Sequence, residues 1–308
     1  MSNIVAVAGP TASGKSALSL ALCKAMNGEL VSFDSMQVYR GLDVGTAKAT
    51  VRERAEVPHH LIDICDPTEK FSAAEFLLAA EKAVDDILSR GKVAVLCGGT
   101  GLYLDSFICG RDYGELSADD DLRASLFEIA ETKGNAALHA MLEELDPDAA
   151  AAIHPNNVKR VVRAIEICKC SNMTKTEWDK KADAAPSRAV KTVVLDFKDR
   201  EALYARINAR VDKMISDGLI EETRSLYERG VFDADVTAAQ AIGYKEMLPF
   251  VKGERSLADA TEDLKRATRR YAKRQTTWFR KYGGIRIFVD EYGTFDDLVS
   301  DVIEKLKE

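Results

Sequence analysis

The amino-acid sequence predicts an α/β protein: a parallel sheet core flanked by helices, with an all-helical insertion domain. Three observations lead to this fold class. Short β-rich runs alternate with helical stretches, a glycine-rich loop follows the first run, and the strand signal disappears between residues 114 and 186. The alternation indicates the parallel sheet, and the gap in it indicates the insertion.

Short apolar segments rich in β-branched residues carry the strand signal. They are residues 4–8, 30–33, 93–97, 192–197 and 285–289. Residues 16–26 suit the helix that follows a phosphate-binding loop, and Ser72-Ala-Ala-Glu75 is a capping box that opens a helix toward Ser89. The tail, residues 294–308, has the pattern of a capped amphipathic helix.

The insertion is predicted from composition. Residues 114–186 are rich in Ala, Leu and Glu in helical patterns, with breaks at Gly134, Pro147 and Pro155. The strand signal then returns. We therefore expect a core made of residues 1–113 and 187–308, and a helical insertion domain of residues 114–186 that contacts the substrate.

Composition limits the class of protein. The chain has 308 residues, 46% hydrophobic and 30% charged, and its apolar runs are shorter than the roughly 18 residues of a membrane span. The N-terminus lacks the basic lead and cleavage site of a signal peptide, so we expect a cytoplasmic protein. We also expect it to be a monomer. Six scattered cysteines with a single CxC pair match neither a zinc site nor a disulfide framework.

Residues 9–16, GPTASGKS, match every fixed position of a phosphate-binding P-loop. In such a loop the backbone N–H groups and the helix N-terminus cradle an anion, Lys15 adds positive charge and Ser16 can ligate Mg²⁺. The sequence thus predicts a P-loop NTPase-like core that binds a di- or triphosphate. The candidate diphosphate-binding residues are Gly9, Pro10, Thr11, Ala12, Ser13, Gly14, Lys15 and Ser16.

The loop lacks the usual second acid. P-loop NTPases hold Mg²⁺ with a carboxylate at the end of another strand, but residues 93–97 lead into Gly-Gly-Thr. Asp34 follows the strand of residues 30–33, where a carboxylate beside the loop suits a general base. A turn cap or an outer Mg²⁺ contact is the alternative for Asp34. Thr100 has a hydroxyl that could hold the reacting group beside Asp34.

Charge is strongly segregated although the net charge is −7. Residues 265–281 contain no acid and combine basic with hydroxyl and aromatic side chains, including Tyr271, Trp278 and Phe279. This pattern favours contact with a phosphate backbone and unstacked bases over a merely solvated helix face. A second basic cluster, at residues 159–163, lies in the predicted insertion.

Taken together, these segments resemble the tRNA dimethylallyltransferases, also called tRNA isopentenyltransferases. The matching segments are GPTASGKS, DSMQVYRGLDVGTAK, PHHLIDICDP, FSAAEF, GGTGLYL, HPNNVKRVVRAIE, AIGYKE and KRQTTWFRK, in consistent order over residues 9–281. The resemblance implies transfer of a dimethylallyl group from dimethylallyl diphosphate to N6 of the adenosine immediately 3′ of the tRNA anticodon. The P-loop would then bind a departing diphosphate, with Mg²⁺.

The resemblance also implies roles for individual residues. Asp34 would accept the amine proton, Thr100 would orient N6 and Arg224 would be an additional diphosphate ligand. Lys159 stands where we expect glutamine in many relatives, and lysine cannot accept a hydrogen bond from a base. The residues expected to face tRNA are Asp34, Ser35, Met36, Gln37, Thr100, Arg123, Lys159, Arg160, Arg163, Gln240, Gly243, Tyr244, Lys245, Lys273, Arg274, Gln275, Thr277, Trp278 and Arg280.

Other functions remain open at this point. One is a P-loop small-molecule kinase in which Arg206 and Arg210 close over the phosphates. Others are an isopentenyltransferase acting on free adenine nucleotides, and a nucleotide-gated RNA-binding module. The missing second acid disfavours the kinase and the nucleotide-gated RNA-binding module. The basic-aromatic run favours tRNA over a free nucleotide as the substrate.

Overall fold

The computed structural model describes residues 3–110, 119–171, 173–182 and 188–308. The chain forms two compact units: residues 1–107 with residues 189–308, and residues 108–188. The domain boundaries predicted near residues 114 and 186 lie outside the described residues. Among the described helices, none combines the length and the apolar character of a membrane span.

The first unit contains a parallel sheet. Its strands are β1 (Ile4–Ala8), β2 (Gly28–Ser32), β3 (His59–His60), β4 (Val93–Cys97), β5 (Lys191–Asp196) and β6 (Ile285–Phe288). Within the described residues the strand order is β3-β2-β4-β1-β5-β6, and every neighbouring pair is parallel. The predicted parallel α/β fold is confirmed. Because the strands share one direction, the loops after their carboxyl ends meet at one edge of the sheet.

Helices connect and cover these strands. In chain order they are α1 (Lys15–Met26), α2 (Val51–Glu56), α3 (Ala73–Ser89), α4 (Gly101–Cys109), α5 (Asp120–Lys133), α6 (Asn135–Leu145), α7 (Pro147–Ala152), α8 (Val158–Ser171), α9 (Lys175–Ala182), α10 (Arg200–Ser216), α11 (Leu219–Glu228), α12 (Tyr244–Val251), α13 (Leu257–Phe279) and α14 (Phe295–Lys307). The predicted capping box opens α3, since Ser72 accepts from Glu75 N at 3.2 Å and its own N–H reaches the Glu75 carboxylate at 2.7 Å.

Apolar clusters pack the described part of the first unit, and two of them shape the region of the phosphate-binding loop. One packs the strands against α1 and α14, with Val5, Leu22 and Val302 among its fully or nearly fully buried members. The other joins the loop after β2 to the helices α10 to α13, through residues such as Tyr39 and Tyr244. The second cluster fixes four helices against the carboxyl edge of the sheet, where the phosphate-binding loop lies.

The described part of the second unit contains helices α5 to α9 and no strand, and its core includes Leu138, Val161 and Ile165, each 0% exposed. Asp146 caps α7 and also accepts hydrogen bonds from the backbone and hydroxyl of Thr176, at 2.7 and 2.8 Å. This shared acceptor ties α9 to α7.

Candidate active site

The phosphate-binding loop joins β1 to α1, as its sequence predicts. A side chain at Gly9 would bring its Cβ within 2.5 Å of the Leu195 carbonyl oxygen, so only glycine fits there. Lys15 Nζ donates to the Pro10 carbonyl at 2.7 Å, across the loop. Burial lowers the pKa of Lys15 to about 8, so an anion bound here would restore a favourable environment for its charge.

The loop surrounds one end of a cavity of about 80 Å³, which we call the phosphate cavity. Its polar lining includes Thr11, Lys15, Ser16, Asp34, Gln37, Thr46, Arg210, Tyr271 and Gln275. Cys97 lies in its wall at the end of β4, and burial raises the pKa of that thiol. A neutral thiol therefore occupies the position at which many P-loop proteins carry a second acid.

Asp34 stands at the carboxyl end of β2 and is half-buried. Its Oδ1 accepts a hydrogen bond from Met36 N at 2.9 Å. This bond closes a local turn of the kind that the turn-cap alternative for Asp34 predicts. No described residue donates to the other oxygen, Oδ2. The turn thus fixes the carboxylate and leaves one oxygen available to take a proton.

Thr100 lies beside Asp34. Its hydroxyl oxygen accepts from Ser35 N at 3.0 Å and donates to the Ser35 hydroxyl at 3.2 Å. The loop that carries it packs tightly on the end of β2, because a Cβ at Gly98 would lie 2.6 Å from the Phe33 backbone. The structure brings together Asp34, Ser35 and Thr100, as expected.

A second cavity of about 260 Å³, which we call the mixed cavity, adjoins the phosphate cavity. The two share lining residues, namely Thr11, Asp34, Thr46, Arg210 and Tyr271. The remaining wall is partly apolar and partly polar, and includes Ser35, Met36, Val211, Met214, Gln240, Ile242, Gly243, Lys245, Leu264, Thr268 and Arg274. The carboxylate of Asp34 therefore lies where an anion-binding cavity meets one suited to flat or apolar groups.

The arginine of the site is Arg210. It lines both cavities, and its Nη2 donates to the Thr46 carbonyl at 3.4 Å. Burial lowers the pKa of its guanidinium, and the charge of Asp34 opposes that effect. One turn earlier on α10, Arg206 Nε binds the Ala12 carbonyl in the phosphate loop at 2.9 Å.

Arg224, which the resemblance suggested for this role, is exposed on α11 and lines neither cavity. The neighbouring Thr223 faces inward and is 0% exposed, so Arg224 is turned to solvent. Arg210, and not Arg224, lines the cavity beside the phosphate loop, and a role of either arginine in binding diphosphate stays a prediction. The sequence signal was the pair of arginines four residues apart on the helix after β5.

Tyr244 was expected to face tRNA, but its side chain is 0% exposed. Its hydroxyl donates to Glu222 Oε1 at 2.5 Å, and the Glu222 carboxylate also accepts the backbone N–H groups of Asp43, Val44 and Gly45, at 3.0, 2.9 and 3.1 Å. Tyr244 and Glu222 thus support the loop that forms one wall of the mixed cavity. Gly243 is buried beside them.

Gln275, another expected tRNA contact, is also buried, at 5% exposure. Its Oε1 accepts from Thr11 N at 2.8 Å and its Nε2 donates to the Gly99 carbonyl at 3.0 Å. A Cβ at Gly99 would lie 2.1 Å from that Nε2. Gln275 therefore links the phosphate loop to the loop that carries Thr100.

The basic helix α13 presents two faces. Leu264, Thr268, Tyr271 and Gln275, spaced three or four residues apart, face the cavities described above. The expected tRNA contacts Lys273, Thr277 and Arg280 lie on the opposite face, whereas Arg274 lines the mixed cavity. Trp278 is 36% exposed and packs on Gly101, where a Cβ would lie 2.2 Å from the indole ring.

The basic residues of the second unit that we expected to contact tRNA lie on α5 and α8. Lys159 and Arg160 are exposed in the first turn of α8. Arg123 and Arg163 both approach the carboxylate of Glu166, at 2.9 and 3.5 Å. Their contact with tRNA stays a prediction, as do the contacts of Gln240 and Lys245, which are exposed in the first unit.

Within the described residues, no group of three or more His, Cys, Asp or Glu side chains could hold a metal ion. Ser16, the predicted Mg²⁺ ligand, lines the phosphate cavity and offers one hydroxyl oxygen. Magnesium in phosphate sites typically takes one or two protein oxygens and completes its coordination with phosphate and water. The residues present fit Mg²⁺ bound together with a diphosphate.

Comparison with known proteins identifies close relatives. A family model described as IPP transferase matches residues 37–282, and one described as isopentenyl transferase matches residues 2–64. The tRNA dimethylallyltransferase of Halalkalibacterium halodurans is 46% identical over 299 residues, which cover 97% of this chain and 95% of the relative. The tRNA dimethylallyltransferase of Thermoanaerobacter sp. is 43% identical over 306 residues, covering 98% and 97%.

Solved structures agree. The full-length tRNA isopentenylpyrophosphate transferase from Bacillus halodurans superposes with a TM-score of 0.72 at 44% identity, covering 99% of this chain and 96% of that one. A eukaryotic dimethylallyltransferase acting on tRNA superposes with a TM-score of 0.83 at 29% identity, covering 98% of this chain and 78% of that one. These matches confirm the resemblance found in the motifs: the chain belongs to the tRNA dimethylallyltransferase family.

Proposed function

We propose that this chain transfers a dimethylallyl group from dimethylallyl diphosphate to N6 of the adenosine immediately 3′ of the tRNA anticodon, and releases diphosphate. The observation that carries the proposal is the position of Asp34 in the lining of both cavities. One cavity has the loop and cations that suit a diphosphate. The other has the mixed walls that suit a prenyl chain and an adenine base.

The adenine amine is a weak nucleophile, because its lone pair is shared with the ring, so it needs positioning and proton removal. As the bond from N6 to the allylic carbon forms, the bond from that carbon to the diphosphate oxygen breaks. The N6 proton goes to Asp34 Oδ2, which no described residue occupies. Thr100, linked to Ser35 by hydrogen bonds of 3.0 and 3.2 Å, would hold N6 beside the carboxylate.

The leaving group gains negative charge on the bridging oxygen as the bond breaks. Loop N–H groups, Lys15 and Arg210 would stabilise that charge, and they lie in a half-buried site where electrostatic interactions are stronger than in water. Mg²⁺ held by Ser16 and the diphosphate oxygens would supply further positive charge to the leaving group. Because the allylic carbon can itself carry partial positive charge, stabilising the leaving group should account for a large part of the rate.

The RNA substrate must present its adenosine unstacked, and extrusion of a base into a pocket is the usual solution. Exposed cations around the mixed cavity, including Lys245 and Arg274, suit the flanking phosphates. We propose that the exposed Lys159 and Arg160 also contact the RNA. A tRNA substrate implies a cytoplasmic protein, which we propose acts as a monomer.

The kinase and free-nucleotide alternatives have less support. A kinase would normally place a second carboxylate on its Mg²⁺, and the corresponding strand ends in the neutral thiol of Cys97. A free nucleotide would not need the exposed cations of α13. Both alternatives predict products that an assay can distinguish.

The test is incubation of the protein with Mg²⁺, labelled dimethylallyl diphosphate and an anticodon stem-loop with adenosine 3′ of the anticodon. We expect labelled RNA. A matched stem-loop with guanosine at that position is the control and should stay unlabelled. Labelling of AMP but not RNA, or phosphorylation of a metabolite by ATP, would overturn the proposal.

A further inference from the structure

Residues 43–48, which we call the wall loop, contact the helices α11 and α12 and also line the active site. Thr46 lines both the phosphate cavity and the mixed cavity, and Gly45 lines the mixed cavity. The wall loop belongs to the motif DVGTAK, and Tyr244, which packs on it, belongs to AIGYKE. The proposed chemical step uses neither the wall loop nor Tyr244.

Glu222 and Tyr244 hold the wall loop from the side of the helices. The Glu222 carboxylate accepts the N–H groups of three successive loop residues, Asp43, Val44 and Gly45, and the hydroxyl of Tyr244. A Cβ at Gly45 would lie 2.5 Å from the Tyr244 ring, so the loop and the ring are in close contact. Burial and the Glu222 charge raise the pKa of Tyr244, which keeps its hydroxyl a donor.

Lys48 holds the other end of the wall loop. Its side chain is 1% exposed. The ammonium donates to the Tyr39 carbonyl at 2.7 Å and to the carboxylates of Asp43 and Asp63 at 2.5 and 2.7 Å. The wall loop is therefore fixed on both sides of Thr46, and these anchors determine where the Thr46 carbonyl lies.

The Thr46 carbonyl connects the wall loop to the site. It accepts hydrogen bonds from Gln37 Nε2 at 3.3 Å and from Arg210 Nη2 at 3.4 Å. Gln37 Oε1 in turn accepts from the Ser32 hydroxyl at 3.0 Å, and that hydroxyl accepts from Asp34 N at 3.4 Å. Arg210 has no ion-pair partner among the described residues, so the Thr46 carbonyl is the group that directs its guanidinium.

We propose that Glu222 is a positioning residue for the transfer reaction: together with Tyr244 it sets the wall loop, and through the Thr46 carbonyl it aims Arg210 at the diphosphate. Neither Glu222 nor Tyr244 lines a cavity of the site, so both act through the loop. This inference rests on the proposed function and adds a residue outside the reaction site on which that function depends.

The sign of the effect separates positioning from a direct electrostatic effect. Glu222 carries a negative charge, so its charge alone opposes the binding of an anion, and removing the charge would strengthen binding. Positioning has the opposite sign. Without the Glu222 carboxylate the wall loop loses its acceptor, and Arg210 loses the carbonyl that holds it beside the diphosphate.

The experiment is a double-mutant cycle on the affinity for inorganic diphosphate with Mg²⁺. It compares wild type, Glu222→Gln, Arg210→Ala and the double variant by calorimetric titration, with urea unfolding and the kinetics of transfer measured alongside. Glutamine keeps the size of the side chain but has one acceptor oxygen for donors that use two. The matched control, Glu221→Gln, removes the same charge from an exposed residue of α11 that lines neither cavity.

We expect Glu222→Gln to weaken diphosphate binding about three- to tenfold, although it removes a negative charge. In the Arg210→Ala background the same substitution should change the affinity by less than about twofold, because the side chain that Glu222 positions is already absent. The kcat of transfer should fall in Glu222→Gln, since Arg210 is expected to stabilise the leaving group. Glu221→Gln should keep the affinity and the kcat of wild type.

Tyr244→Phe tests the same role if Glu222→Gln does not fold. This variant removes one donor to the Glu222 carboxylate and keeps the ring against Gly45. We expect a smaller loss of diphosphate affinity, about two- to threefold, and again no further loss in the Arg210→Ala background.

Three outcomes would overturn the inference. They are equal effects of Glu222→Gln with and without Arg210, unchanged diphosphate affinity in both Glu222→Gln and Tyr244→Phe, and unchanged affinity in Arg210→Ala, which would leave Glu222 nothing to position. If the predicted coupling is present but wild type modifies no RNA, the positioning of Arg210 is supported and the proposed function is overturned.

Discussion

Replacing Gln275 by methionine should weaken both the fold and diphosphate binding. Methionine has a similar volume but offers neither the acceptor that Thr11 N uses at 2.8 Å nor the donor that reaches the Gly99 carbonyl at 3.0 Å. A buried backbone group left without a partner costs about 1–3 kcal/mol. The Gly99 carbonyl is buried but Thr11 N is only half-buried, so we expect the two losses together to lower the free energy of unfolding by about 2–4 kcal/mol.

Urea unfolding, with and without diphosphate, measures this effect. The midpoint should shift with little change in slope, and diphosphate affinity should fall because Thr11 no longer has its support. Thr261→Val, which removes an exposed hydroxyl on the same helix, is the control and should change stability by less than about 0.5 kcal/mol. A methionine variant with wild-type stability and diphosphate affinity would refute the bridging role. Loss of tRNA affinity alone would instead restore Gln275 as an RNA contact.

The other predictions concern single side chains. Asp34→Ala should abolish transfer and leave tRNA affinity within a few-fold of wild type, because a base acts mainly in the transition state. Equal losses in turnover and in tRNA affinity would instead make Asp34 a binding residue. Arg210→Ala should weaken diphosphate binding about tenfold or more, as expected for a lost charge-assisted hydrogen bond, whereas Arg224→Ala should leave it unchanged. Calorimetric titration of each variant with diphosphate measures both affinities. Hydrogen bonds from Arg90 and other neighbouring side chains hold the pKa of Glu29 well below its usual range. The ionised carboxylate therefore stabilises the fold at pH values above the ordinary glutamate pKa, and this stabilisation decreases as the pH falls. Glu29→Gln should therefore lower stability at pH 7 by about 1–3 kcal/mol, and the difference in urea midpoint should begin to shrink near the ordinary glutamate pKa and shrink further as the pH falls below it.

Local patterns were enough to predict the sheet and the centre of the site. The phosphate loop, Asp34 and Thr100 each follow a strand directly, and parallel strands bring such positions to one edge. The two-residue strand β3 was missed because His59 and His60 carry no apolar pattern. Its pairing comes from the neighbouring strand β2, at Leu30 and Val31.

The residues that the sequence misassigned depend on how helices pack against one another. The basic run of α13 was treated as one surface, although Leu264, Thr268, Gln275 and Phe279 form a buried stripe. Helical periodicity could have found that stripe, and with it the inward direction of Gln275. By contrast, the pair Arg206 and Arg210 on the helix after β5 was only a weak signal for Arg210 over Arg224, because the choice depends on which helix lies beside the phosphate loop.

The central claim is that the P-loop holds a departing diphosphate while Asp34 takes the proton of an adenosine amine. Counting products tests it most directly: inorganic diphosphate released and N6-alkylated adenosine recovered after digestion of the RNA, without ATP in the reaction. The account predicts one diphosphate for each modified adenosine, and neither product with Asp34→Ala. Diphosphate release without alkylated RNA, or an absolute requirement for ATP, would contradict it.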